Sequence, residues 1–94
     1  MSGKHHLKRI HALECVVCVH MGLQSPERVE AHHVESIRDE TSDYAVVPLC
    51  SPHHNGPNGV HGLHRRGFIA RYGLSDVDLL GLTMKALEKD GLLI

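Results

Sequence analysis

Aromatic side chains are nearly missing from this sequence, which has no Trp, one Phe and two Tyr among 94 residues. A chain of this length forms one small domain with a modest core, and we expect residues 1–94 to be that domain. Domains with so little core are often stabilised by disulfides or by a metal. The three cysteines are an odd number, which excludes a complete set of disulfides within the chain.

Long apolar runs are also missing. No secretory segment follows Met1, and no stretch is long enough to cross a bilayer. We therefore expect a cytoplasmic protein without membrane contact, whose reduced thiols are free to bind metal. The formal net charge is −1, so charge alone argues neither for nor against nucleic acid. Basic residues near both ends, among them Lys8, Arg65 and Arg66, are either phosphate contacts or solvated faces.

Histidine, in contrast, is abundant, with ten residues in 94. The isolated His11 and His20 are expected to be ordinary surface residues. Six others fall into a few short segments, which suggests a shared purpose such as metal binding. These clustered residues are His32, His33, His53, His54, His61 and His64.

The first half of the chain predicts a short helix and two strands. Residues 4–13 place Leu7, Ile10 and Leu13 on one side, which suits a helix. Residues 29–34 and 44–49 are rich in β-branched residues and fit strands, with a polar loop between them.

The last third predicts helices. One helix is expected to end at Gly73, and another to begin at Ser75, with Asp78 completing a capping box. In this last helix, which Gly91 closes, the apolar residues recur at helical spacing and predict the packing face. They are Val77, Leu80, Met84 and Leu87.

Two pairs of residues have the spacing of zinc ligands. Cys15 and Cys18 form a C-x2-C pair, and Cys50 and His53 form a C-x2-H pair after 31 intervening residues. Zinc takes four ligands in a tetrahedron, and a hairpin between the pairs brings them together. A structural zinc also explains how so aromatic-poor a core holds together. The alternative is that the three cysteines are simply buried apolar residues.

One zinc leaves several histidines unexplained. Adjacent histidines on a strand point to opposite faces, so His32 and His33 are not expected to share an ion. A cation that polarises a phosphate, next to a neutral imidazole that takes a proton from water, suits a nuclease.

The segments HALECVVC, AHHV, DYAVVPLC, HHNGPNGVHGLHRRGF and ARYG together resemble the phage recombination-enhancement, RecA-dependent nucleases. That family is similar to the zinc-stapled branch of the HNH (ββα-metal) endonucleases. The resemblance runs from about His6 to Leu80. It implies an α+β fold, namely a small ββα-metal domain with a zinc-stapled hairpin and flanking helices.

The resemblance also implies roles for individual residues. The first histidine of the pair, His32, binds the catalytic cation, and the second, His33, is the general base. His54, on the helical element, is a further ligand. Gly56 and Pro57 occupy the turn where some members carry another ligand, so His61 is the expected third one, with His64 in reserve.

The residue that orients the base is usually Asn in this family, whereas Asp43 stands at the start of the second strand here. The implied cofactors are a structural Zn²⁺ and a catalytic Mg²⁺, Mn²⁺ or Zn²⁺. The implied partners are DNA and a host recombinase filament. Related nucleases grip DNA with long basic extensions, so this chain is expected to need a partner or a dimer for affinity.

A non-catalytic zinc module that binds DNA or protein is the alternative function. Such a module needs Cys15, Cys18, Cys50 and His53 only. The presence of His32, His33 and His61 in addition favours an enzyme.

Overall fold

The computed structural model describes residues 3–34 and 40–91, in which helices surround a two-stranded hairpin. The α+β class is therefore confirmed. A short 3₁₀ helix, Glu40–Tyr44, precedes the second strand. The elements in chain order are α1 (Lys4–His11), α2 (Val16–His20), β1 (Glu30–His33), β2 (Val46–Leu49), α3 (Ser51–Asn55), α4 (Val60–Tyr72) and α5 (Asp76–Lys89).

The two strands pair antiparallel, with His32 opposite Val47 and His33 opposite Val46. Every residue of β2 is buried, whereas β1 turns His32 inward and His33 outward. Both strands were predicted, although each is shorter than expected. Of the predicted loop between them, residues 35–39 lie outside the described part, and the rest belongs to the 3₁₀ helix rather than to a loop.

The core joins helices from both ends of the chain to the hairpin. Its larger cluster combines Val17, Leu49, Phe68 and Leu79 with the three cysteines. A smaller cluster of Ile10, Leu13, Val46 and Leu87 holds α1 against β2 and α5. Because Phe68 is the single Phe of the chain, most of this core consists of aliphatic side chains and thiols.

The caps of the last two helices are confirmed. Gly73 ends α4 with a φ of 70°, and Ser75 begins α5 with a complete capping box to Asp78.

The predicted packing face of α5 was partly wrong. Val77 and Met84 are 76% and 46% exposed. The buried row is instead Leu79, Thr83 and Leu87, which repeats every four residues and so lies on one side of the helix. Thr83 fits this row because its hydroxyl donates to the carbonyl of Leu79 at 2.8 Å.

Across the described ranges, no helix combines the length and the apolar character that a membrane crossing requires.

Candidate metal centres

Three buried cysteines and one histidine converge beneath the hairpin. One ligand atom from each of Cys15, Cys18, Cys50 and His53 lies within 4.8 Å of all the others. The Sγ atoms of Cys18 and Cys50 are 3.8 Å apart, and Nδ1 of His53 lies 3.5 Å from Sγ of Cys18. A tetrahedral zinc with bonds of about 2.3 Å to sulfur and about 2.1 Å to nitrogen requires separations of about 3.8 and 3.6 Å. The closest pair, Sγ of Cys50 and Nδ1 of His53, is 3.2 Å apart, so the cluster can hold zinc after a shift of a few tenths of an ångström.

Helix starts provide this geometry. Cys15 is the N-cap residue of α2, so Cys18 lies in the first turn of the same helix. Cys50 is the N-cap residue of α3 and places His53 in the same way. The Cys15 amide donates to the Ser25 hydroxyl at 2.8 Å, which ties this helix start to the loop that follows α2.

The protonation states of this cluster follow from its burial. Loss of solvent raises the pKa of the Cys18 thiol to about 12, and the neighbouring Cys15 adds to that shift. Burial also raises the pKa of Cys50 and lowers the pKa of His53. Without a metal these two thiols keep their protons and His53 is neutral. A cation therefore displaces thiol protons but finds the imidazole nitrogen ready to bind.

A second cluster consists of imidazoles alone. Ligand atoms of His32, His54 and His61 all lie within 4.8 Å of one another. The Nε2 atoms of His54 and His61 are 3.1 Å apart, and the His32 ring centre is 5.2 and 5.3 Å from the other two. Three protein donors with further positions open to solvent are typical of a catalytic cation site. His64, the reserve ligand, lies outside this group.

The loop between His54 and His61 is folded tightly enough to bring the two rings together. A Cβ added to Gly62 would collide with the carbonyl oxygens of Gly56 and Pro57. Because only glycine allows this approach, the first turn of α4 packs directly on the loop that leaves α3. His61 is carried on that first turn.

A carboxylate that sequence reasoning missed supports the imidazole cluster. Nδ1 of His54 lies 2.8 Å from Oε1 of Glu30, which directs Nε2 toward His61. The Asn55 amide donates to the same Glu30 oxygen at 2.9 Å. A carboxylate behind a ligating histidine fixes its tautomer and increases its basicity. The sequence signal that could have identified Glu30 is its spacing from His32, because residues two apart on β1 lie on the same face of the strand.

His53 and His54 are adjacent, yet they belong to different clusters. Successive residues of an α-helix point about 100° apart, so neighbours on α3 face different directions. The short helix α3 therefore contributes one ligand to each group.

His33 forms a pair with Asp43. Its Nε2 lies 2.8 Å from Oδ1 of Asp43, and both side chains are partly exposed. When the carboxylate accepts the Nε2 proton of a neutral imidazole, Nδ1 keeps a free lone pair.

The three basic residues predicted to contact nucleic acid lie in different places. Lys8 is exposed on α1, and Arg66 is exposed on α4. Arg65 lines a cleft of about 330 Å³ that also contains His32 and His61. Its Nη2 atom lies 3.1 Å from the Asp76 carboxylate, a contact that the sequence did not reveal.

A known protein family matches most of the chain. The family model described as recombination enhancement, RecA-dependent nuclease matches residues 2–87. The chain belongs to that family. The resemblance seen in the sequence motifs is thereby confirmed, and the family name implies nuclease activity. No curated protein matches the chain.

Proposed function

We propose that this member of the RecA-dependent nuclease family is a metal-dependent DNA endonuclease of the HNH (ββα-metal) type. Residues 1–94 form one nuclease domain, encoded by a phage and active in the host cytoplasm during recombination or repair. The main support is the separation of two donor clusters, one rich in thiols and one made only of imidazoles. A purely structural module needs the first cluster alone.

The imidazole cluster is the proposed catalytic cation site. His32, His54 and His61 would hold Mg²⁺, Mn²⁺ or Zn²⁺, and two of them also line the adjoining cleft. When bound there, a divalent cation would supply the positive charge that polarises the scissile phosphate and stabilises the leaving oxygen. Glu30 keeps His54 in the tautomer that offers Nε2 to the cluster.

His33 is the proposed general base. With Nε2 directed at Asp43, its Nδ1 accepts a proton from the water that attacks phosphorus. A new P–O bond forms, the bond to the leaving oxygen breaks, and the proton resides on the imidazole. The nearby Asp43 carboxylate stabilises the resulting imidazolium. An aspartate thus takes the position of the Asn usual in the HNH motif.

Cys15, Cys18, Cys50 and His53 would hold the structural zinc that joins α2 to the hairpin and α3. Buried thiolates without a cation are unfavourable, so this cluster is suited to a permanently bound ion.

Lys8, Arg65 and Arg66 are the proposed DNA contacts. The chain carries a net charge of −1, so electrostatic attraction to DNA is weak. We expect a recombinase filament, or a second copy of the chain, to supply the remaining affinity.

The test is a plasmid-nicking assay in Mg²⁺ or Mn²⁺, with and without a RecA-type recombinase filament. His33→Ala should keep the fold and both metals while its rate falls roughly 100- to 10,000-fold, as expected for loss of a general base. His32→Ala should lose the second cation instead. His20→Ala removes an exposed histidine outside both clusters and is the matched control.

Nicking by His33→Ala at the wild-type rate would show that this residue is not the base. If the zinc-loaded wild type never nicks under any of these conditions, the protein is a binding module and the enzyme proposal is wrong.

A further inference from the structure

The backbone at His64 adopts a conformation that histidine normally avoids. Its φ and ψ are 60° and 177°, and within residues 3–34 and 40–91 it is the single non-glycine residue with a positive φ. This region is essentially restricted to glycine, and such strain collects at functional sites. The residue interrupts α4 with a kink. A glycine would relieve the strain, so the presence of histidine points to a role for its side chain.

The side chain of His64 lines the cleft next to the imidazole cluster. This cleft, of about 330 Å³, is lined by His32, His61, His64 and Arg65, among others. The kink lies between His61 and Arg65 in α4, so it sets the direction of the helix after the proposed cation ligand. The cleft thus contains two proposed cation ligands, His32 of β1 and His61 of α4, together with His64 and Arg65.

Arg65 forms an ion pair with a residue of the next helix. Its contact with Asp76 at 3.1 Å joins α4 to α5, while its side chain remains 62% exposed. A guanidinium has five N–H donors in a planar fork, and one carboxylate contact leaves others available. Asp76 therefore limits the motion of Arg65 without exhausting its donors.

An imidazole and a guanidinium that line one cleft suit a phosphate. In a DNA strand every internal phosphate has neighbours, so a scissile phosphate at the imidazole cluster brings another phosphate to the walls of the same cleft. From this arrangement we infer that His64 and Arg65 bind the DNA phosphate adjacent to the one that is cut. Asp76 is a positioning residue for Arg65. The inference rests on the proposed nuclease function, because it requires DNA at the imidazole cluster.

Binding should be measured with a fluorescein-labelled DNA duplex and with a labelled single strand, in the uncleaving His33→Ala background. His64→Gly and Arg65→Gln should each weaken binding roughly tenfold, as for loss of a charged hydrogen bond. Arg65→Gln should also reduce the slope of log affinity against log salt by about one, because a cation that neutralises a phosphate is lost, whereas His64→Gly should leave the slope nearly unchanged. Arg71→Gln, on the same helix but outside the cleft, is the control and should leave the salt slope unchanged.

An alanine variant and a glycine variant of His64 separate the effect of the backbone strain from the effect of the imidazole. His64→Ala removes the imidazole and keeps the strained backbone, whereas His64→Gly removes both. The glycine variant should melt roughly 4 °C or more above the alanine variant, because glycine adopts this backbone conformation without the strain that alanine retains. Both should bind DNA equally poorly and retain the same metal content.

A DNA analogue then identifies the phosphate. A single neutral methylphosphonate next to the cleavage position should slow cleavage by the wild type, but should add no further loss in Arg65→Gln. Additive losses at every position tested would overturn the assignment.

Other outcomes are equally decisive. Unchanged affinity in His64→Gly, or an unchanged salt slope in Arg65→Gln, would also overturn the assignment. Loss of the second metal in His64→Gly would make His64 a ligand instead. If the His33→Ala chain fails to bind DNA and the wild type fails to cut it, the nuclease proposal itself is wrong. If the wild type cuts DNA and His64→Gly cuts it at the same rate, the phosphate site is wrong and the nuclease proposal stands.

Discussion

Glu30 on β1 and His54 on α3 are joined by a 2.8 Å contact between Oε1 and Nδ1. This contact ties the strand that carries His32 to the helix that carries His54, so it fixes two of the three imidazoles relative to each other. The opposite nitrogen of His54 faces His61 at 3.1 Å. The carboxylate therefore acts on the proposed cation site through the ring it orients.

The first prediction is that Glu30→Gln weakens binding of the second cation. Loss of such a supporting carboxylate typically lowers metal affinity roughly 10- to 100-fold, and we expect that range here. Titration with Mn²⁺, followed by calorimetry, measures the affinity, and elemental analysis should still find the zinc of the cysteine cluster. Glu88→Gln, an exposed change on α5, is the control. Equal Mn²⁺ affinity in both variants would mean that Glu30 does not support a ligand.

The zinc pairs were predictable because each is local. C-x2-C and C-x2-H spacings place two ligands on one helix start, and Cys15 and Cys50 are both N-cap residues. Helix ends were predictable for the same reason, as the capping box from Ser75 to Asp78 shows. The family resemblance supplied the grouping of His32, His54 and His61, which no spacing rule alone contains.

Contacts between distant elements could not be predicted in this way. The Arg65–Asp76 ion pair depends on the angle between two helices, and the sequence gives no sign of it. The positive φ of His64 is equally hidden, because histidine is not a residue that signals such a turn. On α5, Thr83 makes the buried row look polar in the sequence, whereas the row with Val77 and Met84 is more apolar although these two residues are exposed.

The second prediction is that the cysteine cluster holds one zinc on which folding depends. Structural zinc contributes roughly 10–16 kcal/mol in zinc-finger peptides. A small domain has only about 5–15 kcal/mol of total stability, so removal of zinc should unfold the chain. Cys18→Ser should lose one zinc per chain by elemental analysis and lose its cooperative melting transition. Val19→Ser, at an exposed neighbouring position, should keep both. A zinc-free Cys18→Ser variant with a wild-type melting curve would contradict this prediction.

The third prediction concerns pH. Burial raises the pKa of Cys18 from 9.0 to about 12 and also raises the pKa of Cys50, so both thiols carry protons at pH 7. Burial lowers the pKa of His53, which is therefore neutral at that pH. An unfolded metal-free chain gives the same expectation, because an ordinary thiol with a pKa of about 8.5 is also mostly protonated at pH 7. Zinc binding should therefore release at least two protons, and zinc affinity should fall by at least about 100-fold for each pH unit of acidification.

Calorimetry in buffers of different ionisation enthalpy counts these protons directly. Zinc binding at pH 7 without proton release would show that the thiols are already ionised in the metal-free protein.

The last prediction follows from the contact between the start of α1 and the proposed base pair. Gly3 is buried, and a Cβ at this position would collide with the Cβ of Asp43. Gly3→Ala should therefore displace Asp43 from His33, and misplacement on this scale lowers the nicking rate by up to roughly 100-fold. Zinc content should not change, because Gly3 lies outside both donor clusters. Gly81→Ala is the matched control, since no atom lies within 4 Å of its added Cβ. In a helix interior that change should stabilise the protein by about 1 kcal/mol and leave the rate unchanged.

A double variant distinguishes displacement of Asp43 from general damage. If Gly3→Ala acts through the carboxylate, then combining it with Asp43→Ala should cost no more activity than Asp43→Ala alone, because the contact is already lost. Losses that multiply in the double variant would show that the start of α1 does not position the base.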